Sequence, residues 1–177
     1  MAWESMGAHK LKMKNESRDN VQRAKNKNME KKHKIIVNGD SHAQGCAVEI
    51  KLNLDEGFKV QGFVNPITGL STITTSAKID IHLSKQDVVV VWGGPKDVAK
   101  NETKNGTNCV QRFVKTNNHT TFILMDVPHR YDLEQTPCVN KEVEKYNRRI
   151  RKHIKVFENT EVIKVYLEEV SQNMVSI

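Results

Sequence analysis

The chain has 177 residues, a formal net charge of +7 at neutral pH, 28% charged residues and only 6% aromatic ones. That length fits one domain with an appendage and is enough to bury a sizeable core. Three cysteines (Cys46, Cys109, Cys138) without CxxC spacing argue against a disulfide framework or zinc site and for a reducing compartment, and no apolar run reaches the length of a membrane span.

The charge is concentrated at the start. Residues 1–34 hold ten Lys/Arg against four acids, which leaves the remaining 143 residues nearly neutral. The segment has almost no apolar periodicity. Low hydrophobicity with high charge predicts a disordered or frayed helical basic tail over 1–33 and a folded domain over 34–177. The same charges, Lys10 to Lys34, would also suit an arm that displaces counterions from nucleic-acid phosphate, with no interleaved aromatic to stack on bases. The N-terminus lacks the apolar core of a signal peptide, so an intracellular, cytoplasmic or nuclear, setting is expected. The sequons at Asn15, Asn101, Asn105 and Asn118 then read as chance matches in an Asn-rich chain.

From Lys34 the chain alternates regularly. Ile35–Asn38 is a short strand running into Gly39-Asp40-Ser41-His42-Ala43-Gln44-Gly45. That order predicts a buried strand whose tight turn lifts Ser41 out before a helix over Ala43–Leu54, with Ala47, Ile50 and Leu54 near helical spacing. Such a turn is where a hydrolase would hold a nucleophile. Phe58–Val64 is a second strand, closed by the Asn65-Pro66…Gly69 turn, and Leu70–Leu83 is helical in its second half. Asp87–Trp92 (DVVVVW) is the continuous β-branched run of a strand buried on both faces, ended by Gly93-Gly94-Pro95. Residues 103–117 form a helix and Thr121–Val127 a strand halted by Pro128. Asn140–Phe157 is an amphipathic helix with Val143, Tyr146, Ile150 and Ile154 on its apolar stripe, and Glu161–Tyr166 is a fifth strand. Seven Lys/Arg over 141–155 read as a solvated helix face, with nucleic-acid contact the sharper alternative. Trp92 reads as a packing residue rather than a substrate platform.

Strands alternating with helices predict a parallel sheet covered on both faces, with ligands gathered beyond the carboxyl ends of the strands. Those ends are Gly39–Gly45, Asn65–Gly69, Gly93–Asp97 and Pro128–Asp132. No Walker-type loop, GxGxxG or metal-ligand spacing occurs, so no cofactor or metal is expected.

GDSHAQG, VVVVWGGPKD and DVPHRYDL, in this order and spacing, resemble the SGNH (GDSL-type) esterase and lipase superfamily over roughly residues 34–166. The nearer likeness is to SGNH-like domains of insect retrotransposon-type open reading frames. The resemblance implies a flavodoxin-like three-layer α/β/α sandwich with a parallel sheet of about five strands. It also implies the roles. Ser41 matches the nucleophile, its backbone N–H serving the oxyanion hole, and Asp40 supports the turn. The family's second-block glycine falls on Gly69, with Gly62 the runner-up. The third block, Gly-x-Asn-Asp in the family, is Gly94-Pro95-Lys96-Asp97 here, so Lys96 stands where the family has its oxyanion-donating Asn. Losing such a donor costs roughly 10²–10³ in rate.

The family's base is a His in a C-terminal Asp-x-x-His block, and this chain has no His beyond His153. The chain reads as truncated before that block, with its last element incomplete and an exposed apolar patch, poor solubility or oligomerisation as the expected result. A serine hydroxyl without a base is a weak nucleophile. Among substitutes, His42 adjoins Ser41 on a turn whose neighbours point apart. His129 lies on the predicted active edge near Asp126 and Asp132, as a loop residue or a relay base. His82, His119 and His153 read as surface residues. The resemblance implies a carboxylic ester hydrolase working through acyl-Ser41 on a small ester, impaired or inactive as this chain. The alternative is a catalytically dead, mobile-element-derived module that binds nucleic acid or protein through its basic tail. A third reading is a phosphate-binding or interaction domain on the same scaffold.

Overall fold

A computed structural model describes residues 32–77, 82–129 and 137–165. The chain divides into two units, Met1–Lys32 and His33–Ile177, and all that follows concerns the second. The expectations for residues 10–31, Asp132 and Tyr166 lie outside the described residues.

Five strands build the sheet: β1 (His33–Gly39), β2 (Phe58–Val64), β3 (Val88–Trp92), β4 (Thr121–Met125) and β5 (Thr160–Ile163). Their spatial order is β2-β1-β3-β4-β5. Every pair is parallel, in registers such as Ile35↔Val60, Val37↔Val90, Val89↔Phe122 and Leu124↔Val162. The helices are α1 (Cys46–Leu52), α2 (Leu70–Ser76), α3 (Pro95–Ala99), α4 (Thr103–Thr116) and α5 (Pro137–Ile154). The β-branched run Val88–Val91 sits centrally and is buried toward both faces, as parallel strands require.

Period-two alternation divides the strand side chains between two cores. On one face Ile36, Val89, Val91, Phe122 and Leu124 meet Leu70 and Ile73 of α2, Val110, Phe113 and Val114 of α4, and Val143, Tyr146, Ile150 and Ile154 of α5. The rings of Phe113 and Phe122 meet edge-on, centroids 5.5 Å apart. On the other face Ile35, Val37 and Val90 pack under Ala43 and, from α1, Cys46, Ala47 and Ile50. The sheet is thus the middle of three layers. Among the described residues α1 alone covers the second face, so Val88, Ile123 and Met125 stay half-buried there and Ile163 is exposed.

Two expected elements shift. The helix expected from Ala43 is one 3₁₀ turn, Ser41–Ala43, followed by a break at Gly45 (φ +81°) before α1 starts at Cys46. The helix after β2 already starts at Leu70 and runs to Ser76, the first half of its segment, because the Asp97 carboxylate takes the N–H of Leu70 and so caps the helix there. The short α3, begun by Pro95 at its first turn, was not anticipated.

Candidate active site

The turn after β1 is held from three sides. Gly39 passes so close to its neighbours that a Cβ there would lie 2.4 Å from the Ala43 Cβ and 2.5 Å from the Trp92 carbonyl oxygen. The Asp40 N–H donates to that same carbonyl at 3.0 Å, tying the exit of β1 to the exit of β3. The Asp40 carboxylate, 4% exposed, accepts the His42 N–H at 2.9 Å and so caps the 3₁₀ turn. Ala43 is buried beneath and Ser41 is left exposed, the arrangement of a presented serine. Among the described residues the Ser41 side chain has no hydrogen-bond partner.

The His42 ring turns to Asp40. Its Nδ1 lies 3.0 Å from Asp40 Oδ1, and its ring is tilted against Trp92 at 6.5 Å. Two residues apart on a tight turn, the imidazole folds back onto the carboxylate that caps that turn.

Across the strand boundary, Gly93-Gly94 leaves β3 beside Asp40. Gly94 takes φ +122°, and a Cβ there would meet the Tyr146 hydroxyl at 2.8 Å and the Val127 Cγ2 at 2.9 Å. Glycine is needed on both counts. Asp97 is 2% exposed and accepts the Leu70 N–H at 2.9 Å, and a Cβ on Gly69 would sit 3.1 Å from both its carboxylate oxygens. The loops after β2 and β3 are therefore locked together by one carboxylate. Burial raises the Asp97 pKa, the Leu70 N–H pulls it back down, and the charges of Glu102 and Asp40 raise it further.

Behind these loops lies a buried polar group that the sequence did not single out for the site. Tyr146 belongs to the apolar stripe of α5, yet its hydroxyl faces the site with no partner among the described residues. Burial, then the charges of Asp97 and Asp40, push its pKa well above 10. The Asn38 amide nitrogen, on the same side of β1 as Asp40, is likewise buried and unpartnered. An asparagine directly after the apolar run Ile35–Val37, still within the strand, was the one signal that could have pointed here.

Asp40, Ser41, Gly69, Gly94, Lys96 and Asp97 thus gather on three neighbouring strand ends. Lys96 lies half-buried there, its Nζ donating to the carbonyl of Ile67, a residue with φ +57° on the β2 loop. Gly62 lies elsewhere, mid-strand under α1, where a Cβ would be 2.8 Å from the Ala47 Cβ. His129 follows β4, two strands from β1 and so roughly 10 Å along the sheet. Its Nε2 is 3.9 Å from Glu144 Oε1, beside a cavity of about 480 Å³. His82 is exposed, whereas His119 and His153 are half-buried; His153 Nδ1 lies 2.8 Å from the Arg149 carbonyl oxygen. Among the described residues no cluster of His, Cys, Asp and Glu could hold a metal, and no helix is long and apolar enough to cross a membrane.

No family model matches this sequence, and no curated protein does. Solved structures do match in shape. A Streptococcus pneumonia protein described as a platelet activating factor superposes with a TM-score of 0.59 at 14% identity, over 92% of this chain and 81% of that one. A G-D-S-L family lipolytic protein from Veillonella parvula gives 0.59 at 14% identity, over 76% and 78%. The OSK domain of Drosophila Oskar gives 0.54 at 15% identity, over 72% of this chain and 62% of that one. Identities this low speak to the fold alone: this chain has an SGNH-like fold, a five-stranded parallel α/β sandwich of the kind found in GDSL lipolytic proteins and in the OSK domain.

Proposed function

We propose that the domain is an SGNH-type carboxylic-ester site in which Ser41 is acylated slowly. The observation that carries this reading is the presentation of Ser41: exposed on a turn capped by a buried Asp40, beside the Gly94-Lys96-Asp97 loop. In the chemistry this implies, Ser41 Oγ bonds to the ester carbonyl carbon, and the carbonyl oxygen takes up negative charge. The alcohol then leaves with a proton, and water regenerates the serine. The Ser41 and Gly69 N–H groups and the Lys96 ammonium are the donors for the oxyanion. Two features make the step slow. Lys96 commits one of its three N–H donors to the Ile67 carbonyl, which holds the ammonium there, and no described base is hydrogen-bonded to Ser41. His42, held by Asp40 through Nδ1, is the nearest imidazole in sequence.

The second reading, a non-catalytic module of mobile-element origin that binds a partner, is favoured by those same two features. Its finer likeness, to retrotransposon-type reading frames, rests on VVVVWGGPKD and DVPHRYDL. A fluorophosphonate probe at micromolar concentration separates the readings. Labelling of the full chain that vanishes in Ser41→Ala supports the esterase. A wild type that stays unlabelled sinks it and leaves the binding module.

A further inference from the structure

The net positive charge of the folded unit is concentrated on one helix. Residues 141–155 carry seven Lys/Arg against two Glu, whereas the rest of 35–177 carries eleven Lys/Arg against fifteen acids. Lys141, Lys145, Arg148, Lys152 and Lys155 follow at intervals of four, three, four and three residues, the spacing of one straight ridge on a helix. All five are exposed. Lys155 lies just past α5, but its N–H still bonds the Arg151 carbonyl at 3.0 Å, so it continues the ridge. At 1.5 Å rise per residue the ridge is about 21 Å long. Lys145 pairs with Glu142; among the described residues the other four cations have no ion-pair partner. Cations stacked three and four apart repel one another and weaken an isolated helix. The apolar stripe opposite, Val143, Tyr146, Ile150 and Ile154, holds the helix in the core against that repulsion.

A groove runs beside the ridge between α4 and α5. It encloses about 320 Å³ and is lined by Lys104, Thr107, Asn108, Arg149 and His153, with no acid. Arg149 is steadied by the Thr103 hydroxyl at 3.0 Å.

We propose that this ridge and groove form a docking surface for the phosphodiester backbone of a nucleic acid. The ridge offers a line of donors about 5 Å apart along the axis, suited to a polyanion with regularly spaced charge. It displays no aromatic residue to stack on bases, so it binds without reading sequence. A membrane surface fits less well, because the apolar side chains of α5 are spent in the core and the one exposed apolar residue beside the ridge, Val156 at its end, is too little to anchor it in a bilayer. The surface is separate from Ser41 and does not depend on the esterase reading.

The test uses the full chain and a labelled single-stranded oligonucleotide of about 20 nucleotides, long enough to span the ridge, followed by fluorescence anisotropy from roughly 50 to 200 mM salt. The ridge variant changes Lys141, Lys145, Arg148, Lys152 and Lys155 to Gln. A charge-matched control changes Lys51, Lys59, Lys85, Lys100 and Lys115, also exposed but on other elements. Circular dichroism checks that both fold. In a background whose tail Lys/Arg are also Gln, the ridge variant should bind at least about tenfold more weakly than its parent. Its salt slope should be shallower by about 3.5, from roughly 0.7 for each of the five lost contacts. The control should change affinity less than about twofold, and Ser41→Ala should bind as wild type. Equal losses in ridge and control variants would reduce the effect to net charge and overturn the proposal. So would a ridge variant with wild-type affinity and slope, or ridge-dependent binding to phosphatidylserine vesicles that the oligonucleotide fails to compete.

Discussion

The close approach of the β3 loop to α5 can be tested by a double-mutant cycle at Gly94 and Tyr146. Alanine at Gly94 must hold φ +122°, a conformation that costs an L-residue about 1–3 kcal/mol. Its Cβ must also fit 2.8 Å from the Tyr146 hydroxyl and 2.9 Å from the Val127 Cγ2, an overpacking of a further 1–3 kcal/mol. Gly94→Ala should therefore destabilise the domain by roughly 3–5 kcal/mol. Tyr146→Phe removes a buried hydroxyl that has no partner among the described residues, so on its own it should change stability by less than about 1 kcal/mol. In the Phe background the hydroxyl clash is gone while the backbone strain, the Val127 contact and the ring Cε1 contact at 3.0 Å persist. The cost of Gly94→Ala should then fall by about 1 kcal/mol, well outside the few tenths seen for independent sites. Urea unfolding of the four full-length proteins, followed by far-UV circular dichroism at constant m-value, measures the coupling. Additivity within about 0.4 kcal/mol, or a Gly94→Ala cost below about 1 kcal/mol, would refute the packing argument.

Three further outcomes follow from other contacts. Asp97 has a raised pKa, so the folded protein holds that proton more tightly than the unfolded chain; stability should fall as pH rises from the ordinary 3.8 through the folded value, and Asp97→Asn should abolish that part of the slope in urea midpoints measured across the interval. An unchanged slope in the Asn variant would assign the dependence to another group. The Asn147 amide donates to the Val127 carbonyl at 2.8 Å and accepts the Val127 N–H at 3.0 Å, both buried, so Asn147→Ala should cost about 2–4 kcal/mol and lower the thermal midpoint accordingly. A loss under about 1 kcal/mol would mean that the clamp is dispensable. Finally, Lys96→Asn restores the family's neutral oxyanion donor and should raise the fluorophosphonate labelling rate by about tenfold or more, part of the 10²–10³ such a donor supplies. A rate unaltered by the change would place the slow step elsewhere than at Lys96.

Much of the sheet was legible because parallel strands write their burial directly into sequence. Phe58–Val64 has the expected bounds, and the β-branched run before Gly93 lies at the centre where both faces are covered. Helix limits were less legible where a distant group decides them. Leu70 starts α2 because Asp97, 27 residues later, caps it, and nothing local to Leu70 announces that. The partner of the His42 ring was not legible either: the buried Asp40, two residues back, draws the imidazole to itself. Tyr146 was legible as a core residue and not as a site residue, because its stripe position reports the ring and says nothing of where the hydroxyl ends.

The strand order also sets a timetable for synthesis. β1 needs β3 beside it, and the contact from the Lys34 N–H to the Asp87 carboxylate closes at a separation of 53 residues. At 5–20 residues per second, a ribosome completes β1 roughly 3–10 s before its central neighbour exists. During that interval β1 can pair only with β2, its eventual outer neighbour. One edge of that two-stranded intermediate, with Ile35 and Val37, waits open until β3 arrives. Such an edge is a natural client for nascent-chain chaperones, and slowing translation between Val64 and Val88 would lengthen that exposure in direct proportion.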